Sequence, residues 1–214
     1  MSVDYNKANA GGYSGERTAL PVGWYGATPK ARPGKTPPTT HDGLLRIVSF
    51  IGTKPTKTEG LNRNSFLVAS TNGTDGTAFL SFNTENWWTT DEAIALAFNL
   101  PFDDQATITK LRNALTAKAR ERAEDANTPE ESMEQATKEI YEGILKQIQI
   151  NVGTIFRLQD WAGVPRNPRQ ELNELVGTEF AGSVEPGFSG DTADVKSVFS
   201  KPRTPRATVA TTSN

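Results

Sequence analysis

No cysteine occurs among the 214 residues, so neither a disulfide framework nor a thiolate metal site is open to this chain. Histidine occurs once, as His41 in the loop-like run Pro37-Pro38-Thr39-Thr40-His41-Asp42-Gly43. A Ser-His-Asp triad would have to use that ring, and a proline- and glycine-bounded loop holds an imidazole poorly. The strings GxSxG, HExxH, GxxxxGK[ST] and GxGxxG are all missing, which removes the commonest nucleophile, zinc and nucleotide signatures. Two carboxylate pairs, Asp103-Asp104 and Glu130-Glu131, read as acids at helix starts, where the helix dipole favours them. The expectation is a protein with no catalytic residue, no metal and no cofactor. No apolar run approaches the roughly 18 residues of a membrane helix, and the polar stretch Met1–Gly15 has no signal-peptide core. The apolar share is 36%, enough for a core but low enough that much of the chain should be loop or tail.

What is present is an uneven distribution of charge. The net charge is −2, yet residues 1–60 carry eight Lys/Arg against four Asp/Glu. Residues 61–200 carry twelve against twenty-one, and the last fourteen add Lys201, Arg203 and Arg206 with no acid. A basic N-terminal lobe and tail on an acidic body would orient a polyanion on one face. Ordinary surface variation accounts for the pattern equally well.

The pattern predicts five pieces. Residues 1–18 read as a flexible arm. From Leu20 to about Phe82 the chain reads as β: Gly43–Gly52 is an apolar run bounded by glycines, and Asn64–Ser70 and Thr77–Phe82 flank the turn signals Asn72-Gly73 and Asp75-Gly76. Helices follow. Thr89 to Glu92 has capping-box spacing, and Ile108, Leu111 and Leu115 continue at helical intervals. Thr128-Pro129-Glu130-Glu131 starts a long helix whose stripe is Met133, Ile140, Ile144, Ile148, Val152, Ile155 and Trp161, with Gly163 and Pro165 ending it. Glu174–Val184 and Asp194–Phe199 then return as strands, and residues 203–214 read as a flexible basic tail.

Aromatics and cations alternate near the start. Trp24 and Tyr25 follow Leu20-Pro21-Val22-Gly23, and Lys30, Arg32 and Lys35 come next. Rings beside cations suit a single strand, since bases stack on π-faces while the cations hold phosphates. A first strand that buries its aromatics and is followed by a solvated loop explains the same residues. Trp87 and Trp88, placed on a strand, would point to opposite faces and leave one ring exposed.

The order of these elements resembles a family of small bacteriophage proteins found among replication and recombination functions. Its outline is an LPxGxY strand, a helix with a QxxxxxLxxxxG kind of pattern, a closing LxGxxF and a strand like xNEVxxF. The corresponding residues are Leu20–Tyr25, Gln149 to Gly163, Glu174–Phe180 and Asp194–Phe199. The likeness runs from about Leu20 to Pro202, with an enlarged helical insert. The stretch from Asn64 to Phe82 departs from the family's usual pattern, and the basic C-terminus is the reverse of the acidic tip that many bacterial single-strand binders carry.

The resemblance implies an α+β domain: an OB-like β-barrel over residues 19–202, with a helical insert at about 89–163 and flexible termini. It implies single-stranded DNA as partner, in the host cell cytoplasm, alongside phage replication or recombination proteins and away from any membrane. Lys30, Arg32, Lys35, Arg46 and Arg63 would then track the phosphates, and bases would stack on some of Trp24, Tyr25, Phe66, Phe79, Trp87 and Trp88, with weak sequence preference. Two other classes fit the same composition. One is a virion component, capsid-decorating or tail-associated, with no nucleic-acid groove. The other is a module that recruits or inhibits a host protein through the long helix. A homo-oligomer is compatible with each.

Overall fold

The computed structural model describes residues 18–29, 36–58, 60–188 and 191–202. The arm at 1–17, the cations Lys30, Arg32 and Lys35, and the tail at 203–214 lie outside them. Among the described residues the strands and α-helices follow in chain order. Five strands come first: β1 (Gly23–Tyr25), β2 (Thr40–His41), β3 (Leu45–Pro55), β4 (Asn62–Ser70) and β5 (Thr77–Thr84). Three helices come next: α1 (Asp91–Phe98), α2 (Gln105–Asp125) and α3 (Met133–Ala162). Strands β6 (Glu179–Phe180), β7 (Gly182–Pro186) and β8 (Ala193–Val198) close the series. None of the helices among the described residues is long and apolar enough to cross a membrane.

The protein is α+β, with one eight-stranded mixed sheet in the order β2-β1-β7-β8-β5-β4-β3-β6. The expected closed barrel does not form. Glu179 and Phe180 pair with β3, whereas Gly182 to Val184 pair with β1, so one continuous run serves both ends of the strand order. The ladder breaks at Ala181 between them, leaving β2 and β6 as free edges. One face of the sheet packs on Ile155 and Leu158 of α3.

Bulges interrupt β3. Its pairing with β4 shifts between Ile47 and Ser49 and again between Phe50 and Gly52. Each extra residue bends its strand and increases the local twist. Gly52, at φ +132°, takes the second bulge in a backbone conformation that a side chain would strain. Alternation then sorts the faces. Phe66 and Val68 of β4 and Ala78, Leu80 and Phe82 of β5 face α3 with Tyr25, Leu45 and Phe180. Ser65 and Ser81 meet on the other face at 3.1 Å.

A second core forms where α1, α2 and α3 meet, around Trp88, Ile94, Leu115, Ile144 and Ile148. The predicted stripe on α3 therefore serves two cores, the helical one through Ile144, Ile148 and Val152 and the sheet through Ile155. Helix ends follow simple chemistry. Thr90, one residue later than the capping-box spacing predicts, caps α1 by accepting from the Ala93 amide. Asp104 caps α2 through the Ala106 and Thr107 amides, and Gly163 ends α3 at φ +74°. Trp87 and Trp88 lie in a 3-10 turn, Asn86–Thr89, not on a strand. Their rings stand edge to face at 6.2 Å.

Candidate nucleic-acid interface

The expected stacking set does not assemble. Tyr25 and Phe66 are 0% exposed and Trp88 is 5% exposed, so no base can reach their faces. Each is a core ring. Tyr25 stacks on His41 at 4.7 Å and donates its hydroxyl to the Pro21 carbonyl, and burial pushes its phenol pKa up. Phe66 sits between Phe50 and Phe82. Trp24 is half-buried with its ring 4.7 Å from Phe199, and Phe79 is half-buried on β5. Of the two adjacent tryptophans, Trp87 is the more exposed, and its indole N–H donates to Glu85 at 2.6 Å.

The expected cations divide in the same way. Arg46 is exposed but held by Glu179, its register partner on β6, with Nε to Oε1 at 2.9 Å. A phosphate there would have to displace that carboxylate. Arg63 is different. It is exposed on β4, and its direct cross-strand partner on β3 is Lys54. Like charges facing each other across a strand pair are destabilising unless an anion lies between them. Neither has a carboxylate partner among the described residues. Lys57 is also exposed, in the loop beyond Pro55, where the Thr56 amide donates to the Leu61 carbonyl and Gly60 turns the chain at φ +76°.

Beside the loop end of this hairpin lies a groove of about 440 Å³. Thr58 and Leu61 line it from the hairpin, Trp87 and Trp88 from the 3-10 turn, and Lys118 and Arg122 from α2. Lys118 reaches Glu85 at 3.9 Å, and Arg122 has no carboxylate partner among the described residues. Arg120 on the same helix is tied to Glu124 at 3.0 Å.

Sequence reading missed Lys54 and Lys57 as site residues. Part of the signal was there, because Gly60 in the sequence marks a chain reversal that sets Lys54 near Arg63 once the hairpin is recognised. The β3 bulges hid it, since counting back from the Leu45 end gives a register two residues out. Arranged this way, the hairpin and groove offer several cations, one accessible indole and the carboxylate of Glu85. Compared with protein families, curated proteins and solved structures, the chain matches none.

Proposed function

We infer that the protein is a non-catalytic, sequence-tolerant binder of single-stranded DNA, acting in phage replication or recombination. The observation that carries this reading is the facing pair Lys54 and Arg63 on an exposed ribbon, without a counter-charge among the described residues. A phosphate backbone supplies that charge, and release of its counterions supplies affinity that falls with salt. The ribbon with the groove beside it replaces the OB-barrel groove as the binding surface. Trp87 provides the ring for one base, beside Lys118 and Arg122. The setting in phage replication or recombination, and the preference for DNA, come from the sequence resemblance.

Binding of labelled oligo-dT of about 30 nucleotides, followed by anisotropy across a salt series, tests this. Replacing Lys54, Lys57 and Arg63 together by Ala should weaken binding and lower the log–log salt slope by about 0.7 for each phosphate that is no longer neutralised. Trp87→Ala should instead cost about 1–3 kcal/mol with little change of slope. If the wild-type protein leaves oligo-dT free at low salt, the nucleic-acid reading is wrong and a virion structural role takes its place.

A further inference from the structure

A second cavity, of about 480 Å³, lies further along α3. Its walls are Phe98 at the end of α1, Phe156 and Arg157 on α3, and Arg166 and Lys201 from the segments that follow. Arg157 has no acceptor among the described residues, and its Nε atom is fully removed from solvent. Burial pushes its guanidinium below the ordinary value, although no neighbouring charge contributes. The residue as a whole is half-buried, a partly desolvated cation without a partner is costly, and the neighbourhood withholds the obvious remedy. Asp160, one turn along the helix, is engaged by Arg166 through two hydrogen bonds of 2.9 and 2.7 Å. Lys201 donates to the Trp161 carbonyl at 3.3 Å. Gly153 adds no side chain; a Cβ there would meet Arg157 and Phe98 at 3.8–4.0 Å.

We propose that this cavity is a binding site for a phosphomonoester, with Arg157 as the central donor and Arg166 and Lys201 at the rim. The charge argument selects the class. The three cations and Asp160 leave the lining two positive charges in excess, and a phosphomonoester carries about −1.5 to −2 near neutrality. A carboxylate would leave one of those charges unmatched. The planar guanidinium fork suits bidentate contact with such an oxyanion. Phe98, packed on Phe156 at 5.8 Å, gives an apolar wall for the body that carries the phosphate, while Arg166 lies over the Phe156 ring at 5.5 Å. The same group occurs on a free phosphorylated metabolite and on the 5′ end of a nucleic-acid strand. The site shares no lining residue with the hairpin groove and does not depend on it.

The test is thermal melting of the full chain with inorganic phosphate, against acetate at matched ionic strength. Phosphate should raise Tm and acetate should not. Arg157→Leu should melt no lower than wild type without phosphate, because a half-buried cation without an acceptor among the described residues is gone, and should lose the phosphate response. Arg166→Ala should weaken phosphate binding roughly tenfold or more, since it removes one donor and one positive charge from the rim. Two arms separate the sources. A short oligo-dT preferred over its unphosphorylated counterpart only when it carries a 5′ phosphate, with the preference lost in Arg157→Leu, assigns the site to strand ends. A response to inorganic phosphate without that preference assigns it to free phosphoesters. Equal effects of phosphate and acetate, or a phosphate response that survives Arg157→Leu, would overturn the proposal. The outcome is independent of the Lys54, Lys57 and Arg63 experiment, so either reading can fail alone.

Discussion

Asp160 shows how a single ion pair at a helix end sets a local pH dependence. The hydrogen bond from Arg166 is the main cause of its lowered pKa, with desolvation opposing and the nearby charges of Arg166 and Lys201 assisting. A carboxyl whose folded pKa lies below its unfolded value contributes stability fully above the unfolded value, and that contribution is lost as pH falls through the folded pKa. The window therefore opens below about pH 4, where free carboxyls titrate. Asp160→Asn should be less stable than wild type at neutral pH and should lose less stability on acidification through that window, as read by urea midpoints at a series of pH values. The pair is largely solvated, so the difference should be small. Arg166→Ala should flatten the same limb, since it removes the cause of the shift. His41 is likewise a structural residue. Its Nε2 lies 3.1 Å from the Val22 carbonyl and its ring covers Tyr25, a role that residue type alone does not reveal.

At the scale of elements, the β3–β4 hairpin couples stability to binding. Lys54 and Arg63 face each other directly, so Lys54→Glu turns a repulsive cross-strand pair into an attractive one. Such pairs are worth about 0.2–1 kcal/mol. The variant should unfold at a higher urea concentration than wild type while binding oligo-dT more weakly. A loss of stability would mean that the two side chains do not interact. The helices illustrate what local signals can carry. Pro129, the acids after it, and Gly163 mark both ends of α3 within a few residues, because caps and the dipole act over one turn. Trp87 and Trp88 illustrate the limit. Their aromatic character reads as strand, but the 3-10 turn that leads into α1 is set by Thr90, whose hydroxyl donates to the Trp87 carbonyl and accepts from the Ala93 amide.

At the scale of the molecule, α3 is the member common to two cores. Ile148 and Val152 are 0% exposed in the helical core, and Leu158 is equally buried against the sheet. Asn151, also buried, accepts from the Asn83 amide and ties the end of β5 to the middle of the helix. The two halves should therefore unfold together. Ile148→Ala, which empties space only in the helical core, should cost about 2–5 kcal/mol. Tryptophan fluorescence and far-UV circular dichroism should still report coincident transitions. Separate transitions would mean that the helical layer and the sheet are independent units.

The run read as a loop around His41 holds strand β2, but the sequence by itself determined the α+β class, the three strands β3 to β5 and the long helix with its apolar stripe. Those follow from periodicity, turn chemistry and caps, which act between residues close in the chain. Only the tertiary structure decided that Tyr25, Phe66 and Trp88 are core rings, that Arg46 is spent on Glu179, that Lys54 faces Arg63, and that Arg157 has no counter-charge among the described residues. It also decided that the sheet stays open, because consecutive residues either side of Ala181 pair with different strands. The physical reason is common to all of these. Whether a ring is exposed or a charge is paired depends on residues far away along the chain, and no local pattern records which of them arrives.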